Sequence, residues 1–353
     1  MLKFIKSKYI IKQIFKNISN KRELILLKNN KKILQRLEIT IKDYKYCLKQ
    51  ELKKRFNLIF TDIYELDMID NKKCCNEINY FNKFKYIKKL YLGSNSLSYI
   101  PLLKFKNLKI LNLSNNKINS IESLRNENFK DLKELYLENN LISDIEILKS
   151  VKFTKLEILS LGDNNISDIS ALEKVNFINL KKLYLGNKLT DWNRQYHKKK
   201  LFEELKQSKA FNNISDINVL KNVSFEKLEV LDLGDNLIKD INVLSQVNFK
   251  ELKILNLRYN LISSLDALKN ANFKKLEVLY LSENEISNIN IFNKVNFKNL
   301  LSLYLDFNKL SNFKAIESFK HLEILHIYGN DVSEDLETIY NLQSRVKQLY
   351  YTI

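Results

Sequence analysis

The feature that most constrains this chain is a period of 24 residues. The stretch FTKLEILSLGDNNISDISALEKVN places Phe153, Leu156, Leu159, Leu161, Ile166, Ile169, Leu172 and Val175 at fixed spacings, with Asn164 among them. The same spacing restarts at Phe177, and other copies begin at Phe84, Phe105, Phe129, Phe225, Phe249, Phe273, Phe297 and Phe319. A chain repeating at this interval has to wind into stacked coils, because one coil's apolar face is covered only by its neighbours.

The local chemistry of a coil follows from its spacing. Leu159 and Leu161 bracket Ser160, the alternation of a short half-buried strand. Ile166, Ile169 and Leu172 are spaced by three, which suits a short helical or 3-10 return, with Ser170 and Glu173 available as a capping box. The amide of Asn164 can donate twice and accept twice. Repeated as Asn95, Asn116, Asn140, Asn164, Asn236, Asn260, Asn284, Asn308 and Asn330, such a residue can satisfy backbone groups that a turn would bury unpaired.

The pattern L-x-x-L-x-L-x-x-N-x-I, with its N-x-I-S-D-I turn, resembles the leucine-rich-repeat family, in the class shared by phosphatase-regulatory subunits and bacterial internalins. The resemblance implies an α/β solenoid, with a curved parallel sheet on the concave face and short helical or 3-10 returns on the convex face. Residues 59–353 are assigned to it. The first coil, from Phe60, keeps Ile63, Leu66, Met68 and Asn71 in phase and then loses the pattern, and a C-terminal cap is expected over 331–353.

Charge separates the N-terminal segment from the repeats. Residues 1–58 carry 17 Lys and Arg against four acids, a balance of +13 out of +18 for the chain. Their apolar spacing (Ile10, Ile14, Phe15, Leu24, Leu27, Leu34, Leu37) reads as short helices. The order YIIKQIFKNISNKRELILLKNNKKILQRL resembles an F-box, although it lacks the early Leu-Pro pair and the late aromatic residue. That resemblance implies a ubiquitin-ligase adaptor bound at residues 5–37. An amphipathic helical cap is the alternative reading, and a basic patch for nucleic acid or anionic membrane is the least favoured, because the lysines are not striped. Cys47, Cys74 and Cys75 form no disulfide framework or zinc spacing. The lysine-broken N-terminus has no signal-peptide core, so the expectation is an intracellular, probably cytoplasmic setting in the sense of compartment chemistry.

One place breaks the period. Phe177 to Phe225 spans 48 residues, and the middle, KLTDWNRQYHKKKLFEELKQSKAF, holds Trp192 and the cluster Arg194, His197, Lys198, Lys199 and Lys200. Phe202, Leu205 and Asn213 would fit a decayed coil at about 188–212. The other reading is an inserted basic-aromatic loop.

No catalytic constellation is present: there is no phosphate loop, nucleophile elbow or H-E-x-x-H, and neither a cofactor nor a metal is expected. The expected function is therefore protein binding without catalysis. The column between the two strand leucines reads Tyr91, Asn112, Tyr136, Ser160, Tyr184, Asp232, Asn256, Tyr280, Tyr304 and His326. Two residues further along the chain, Arg258 and Tyr328 add to it. Tyrosine gives large, rigid contact area, so Tyr91, Tyr136, Tyr184, Arg258, Tyr280, Tyr304, His326 and Tyr328 are the expected partner-binding residues. Such a mixed surface suits a protein partner better than a phosphate backbone, which would demand a basic stripe.

Overall fold

The computed structural model describes residues 65–67, 87–101, 103–105, 107–125, 129–186 and 212–352. The F-box-like stretch at 5–37, the rest of residues 1–58 and the basic-aromatic stretch at 188–211 lie outside the described residues.

Twelve three-residue strands form one parallel sheet in strict chain order. They are β1 (Glu65–Asp67), β2 (Lys89–Tyr91), β3 (Ile110–Asn112), β4 (Glu134–Tyr136), β5 (Ile158–Ser160), β6 (Lys182–Tyr184), β7 (Val230–Asp232), β8 (Ile254–Asn256), β9 (Val278–Tyr280), β10 (Ser302–Tyr304), β11 (Ile324–His326) and β12 (Gln348–Tyr350). Each central leucine is buried and pairs with the next, as Leu135 with Leu159 and Leu159 with Leu183. The flanking strand residues stand on the open sheet face. Behind the strands runs a spine of buried phenylalanines, with Phe153 on Phe177 and Phe273 on Phe297 at ring separations of 6.2 Å.

The asparagine ladder stitches coil to coil. Asn260 Nδ2 donates to Leu257 O in its own coil and to Leu233 O in the preceding one (3.1 and 3.0 Å), and its Oδ1 accepts from the Ile238 amide at 2.9 Å. Asn164, Asn284 and Asn308 bond in the same way. Because three buried backbone groups depend on one side chain, Asn260→Ala is expected to cost about 1–3 kcal/mol. A thermal melt indistinguishable from wild type would show those groups solvated instead.

The 3-10 returns start differently from the capping box expected of Ser170 and Glu173. Asp168 Oδ1 accepts the Ser170 amide at 2.7 Å, and Asp144, Asp216 and Asp240 do the same two residues before their own returns. The aspartate of the S-D-I motif is thus an Asx-turn former. A short side chain bonding two residues on competes well at a turn that a three-residue spacing leaves tight.

The expected decayed coil is corrected by the sheet. β6 pairs directly with β7, Leu183 opposite Leu231, and the Leu185 amide donates to Asp232 O at 2.8 Å. Asn212, rather than Asn213, holds the ladder position. It donates to Leu161 O (3.0 Å) and Leu185 O (2.7 Å) and accepts from the Ile166 amide (3.0 Å). Read with 188–211 removed, the chain runs LGN-NNISDI, matching LGDNNISDI one coil earlier. The 24 residues from 188 to 211 are an insertion inside one coil, and their number mimics a repeat by length alone. Alternating charges carry the same register across the gap. Lys181 pairs with Glu157 and Lys253 with Glu229, both at 2.9 Å, while Lys227 Nζ donates to Asn179 Oδ1 at 2.6 Å. Exposed pairs of this kind add little stability but penalise a slipped stack.

At the C-terminal end, helix α1 (Leu336–Arg345) buries Thr338, Ile339 and Leu342. The chain then returns as β12, so the last regular strand, β11, is not left as an open edge.

Candidate functional site

Every coil places the residue just before its ladder asparagine in the left-handed backbone region. This holds for Asn139 (φ 55°), Asp163 (51°), Asp235 (53°), Tyr259 (50°), Glu283 (56°) and Phe307 (53°). Bulky residues pay for that conformation. In return, their amides reach across, as Tyr259 N–H to Ser282 O and Phe307 N–H to Tyr328 O. The turn fixes where the sheet face ends and which side chains rim it.

Two chemically distinct zones occupy that face. Toward the C-terminus the column is a continuous aromatic stack. Tyr280 and Tyr304 lie 4.5 Å apart, Tyr304 and His326 4.7 Å, and His326 and Tyr350 4.1 Å. Phe307 meets Tyr328 edge-on at 5.2 Å. Parallel register brings these rings to strand spacing, and offset stacking is favourable at such distances. The stack corrects the expectation of a freely exposed tyrosine column: Tyr304 is 6% and His326 7% exposed, because each ring covers the next. Burial holds His326 down to about 4, so it is neutral at physiological pH. Burial also pushes the Asp306 carboxyl, 3.7 Å from His326 Nδ1, up to about 6.

The middle of the face is an acidic bowl. Three successive coils carry glycine where Glu138 stands on one side and Arg258 on the other: Gly162, Gly186 and Gly234. Asp232 is 1% exposed. Its Oδ1 accepts from the Gly234 amide (3.0 Å) and Asn256 Nδ2 (2.8 Å), while its Oδ2 has no hydrogen-bond partner. Asp163 Oδ1 and Ser160 Oγ are likewise buried and unpartnered. Asp235 meets Arg258 Nη2 at 3.4 Å, and that guanidinium lies 5.7 Å from the Tyr259 ring centre.

Burial pushes the Asp163 carboxyl up to about 7, helped by the charges of Asp235, Asp232 and Glu138 and opposed by Arg258. Asp232 is pushed up to about 7 by burial, against the Gly234 hydrogen bond and Arg258. Asp235 rises to about 6 from burial, with Arg258 holding it back.

Of the residues expected from sequence to bind a partner, Tyr280, Tyr304 and His326 come together in the stack, with Tyr328 on its rim beside Phe307. Arg258 instead belongs to the bowl. Tyr136 and Tyr184 flank Ser160 in register, and the Tyr136 hydroxyl donates to Glu134 Oε2 at 3.0 Å. Tyr91 lies apart, on β2 near the N-terminal end of the sheet. Sequence reasoning missed Tyr350, Phe307 and the aspartates of the bowl. The run of glycines in one column, each beside an acidic or amide residue, was the available signal.

Comparison with known proteins agrees with this architecture. A family model described as leucine-rich repeats (two copies) matches residues 87–126, 106–150 and 154–194. An internalin, InlF, from Listeria monocytogenes str. 4b F2365 is 25% identical, with a TM-score of 0.52, covering 84% of this chain and 89% of its own. The functional domain of InlJ from Listeria monocytogenes is 17% identical (TM-score 0.54), covering 84% of this chain and 64% of its own. The TLR13–ssRNA13 complex is 19% identical (TM-score 0.57), covering 84% of this chain and 41% of that one. No curated protein sequence matches the chain. The chain is a leucine-rich-repeat protein, a class of interaction modules. Among the described residues, no helix is long and apolar enough to cross a membrane, and no cluster of His, Cys, Asp or Glu is arranged to hold a metal ion.

Proposed function

We propose that this chain is a non-enzymatic module that binds a protein partner on the concave sheet face, with the aromatic stack as its anchor. The observation that supports this reading is the line of four rings, Tyr280, Tyr304, His326 and Tyr350, ordered by the sheet before any partner arrives. Pre-stacked aromatics lose little conformational freedom on binding, and such residues are enriched among interface hot spots. Arg258, Tyr328, Tyr184, Tyr136 and Tyr91 extend the surface along the solenoid. An acidic centre disfavours a nucleic-acid backbone. An intracellular setting fits a sequence whose three cysteines form no disulfide framework.

The test is a joint Tyr280→Ala and Tyr304→Ala variant, used with a partner recovered by affinity capture. Binding is expected to weaken by more than about thirtyfold, as for loss of central aromatic anchors. Loss of the ring stack should also cost stability, about 0.5–1.5 kcal/mol beyond the area exposed, so a melt must show the variant folded. Unchanged binding by a folded variant would remove the interface from this face.

A further inference from the structure

We propose that the acidic bowl receives a positively charged side chain, lysine or arginine, presented by the protein partner. The inference rests on the sheet-face reading and specifies the chemistry recognised at its centre.

Charge is the first argument. Glu138, Asp163, Asp232 and Asp235 converge around a single cation, Arg258, in a protein whose net charge is +18. Arg258 is engaged with Asp235 at 3.4 Å. The second argument is hydrogen bonding. Native interiors rarely leave a polar atom unpaired, yet Asp232 Oδ2, Asp163 Oδ1 and the uncharged Ser160 Oγ all lack partners, on residues 1% exposed for Asp232 and 0% for Ser160. Ser160 and Asp232 sit on either side of Tyr184 in the same column, in register through β5, β6 and β7. All three vacant positions are acceptors, or a hydroxyl that can act as one, so the missing group is a donor. A cationic ammonium or guanidinium supplies several donors with the charge the site lacks. The third argument is space. Glycines at 162, 186 and 234 leave the column between Glu138 and Arg258 without side chains. A bare metal ion fits less well, because no carboxylates here converge in a metal-holding geometry.

Proton and ligand would compete for the same carboxylates. Asp163 faces Asp232, Asp235, Glu138 and Arg258, and Asp232 faces Asp235, Arg258 and Tyr184. Cation binding should therefore strengthen as the pH rises from about 6 to 8.

The experiment titrates the full chain with a fluorescein-labelled peptide of alternating glycine and lysine, against a glycine–glutamate peptide of the same length. The lysine peptide should bind, and a joint Asp163→Asn and Asp232→Asn variant should bind it at least about tenfold more weakly. The Tyr280→Ala and Tyr304→Ala variant should keep most of that peptide binding. Equal binding of the lysine peptide by wild type and the aspartate variant, or equal binding of both peptides by wild type, would overturn the proposal. So would displacement of the peptide by 1 mM calcium through Asp163 and Asp232, which would make the bowl a metal site. With the captured partner, loss of binding on the tyrosine changes but not on the aspartate changes overturns the bowl alone. Insensitivity to both sets overturns the sheet-face reading itself.

Discussion

Asp232→Asn should raise the melting temperature at pH 8 and do so far less near pH 4.5. The carboxyl is fully buried and pushed up to about 7, so the folded state binds its proton more tightly than the unfolded chain does. Folding is then favoured at low pH. The penalty enters as pH climbs above the unfolded value of 3.8 and is complete above the folded one. A shift of this size corresponds to a penalty on the order of 4 kcal/mol at pH 8, shrinking several-fold by pH 4.5. Asparagine keeps the shape and the acceptor for Gly234 while removing the charge.

The wild-type protein should show the same sign. Asp163, Asp235 and Asp306 are also raised by burial, so stability should fall as pH rises through about 6 to 8. His326 acts oppositely, since burial depresses it, but only below its ordinary value of 6.5. Thermal melts across pH 6.5 to 8 isolate the carboxylates. A flat profile there, unchanged by Asp232→Asn, would mean the bowl is hydrated and its aspartates ordinary.

The seam at the insertion should be the least tolerant point in the solenoid. A methyl group added at Gly186 would stand 2.3 Å from Gly234 O, 2.6 Å from Gly234 N and 2.6 Å from Asp232 Oδ1. Two of those atoms are backbone, so the coils would have to separate. Gly186→Ala is expected to destabilise by about 3 kcal/mol, at the upper end of overpacking costs. Deleting 188–211 should by contrast leave the melt close to wild type, because LGN-NNISDI rebuilds the turn of the preceding coil. If Gly186→Ala is silent, or the deletion unfolds the protein, the coil does not close in the way the Asn212 bonds require.

The sequence by itself determined the coil. Leucine alternation set the strands, the three-residue spacing of Ile166, Ile169 and Leu172 set the returns, and the asparagine column announced a recurring buried turn. Each of these is a local relation among residues a few positions apart, and periodicity amplifies it. The S-D-I aspartates were equally local, yet two competing bonds, capping box and Asx turn, share the same residues, and only the folded geometry chose between them.

Tertiary structure decided the rest, because it rests on which coils touch. A 24-residue insertion cannot be told from a repeat by counting. The contacts of Asn212 with Leu161 and Leu185, and of Lys227 with Asn179, show which coils are neighbours. Exposure of the tyrosine column was misjudged for the same reason: alternation says that Tyr304 points away from the core, but Tyr280 and His326, in adjacent strands, then cover it. The bowl is the clearest case. Asp163, Asp232 and Asp235 are separated by about seventy residues and an insertion, and nothing local marks them as a cluster until stacking removes the water between them.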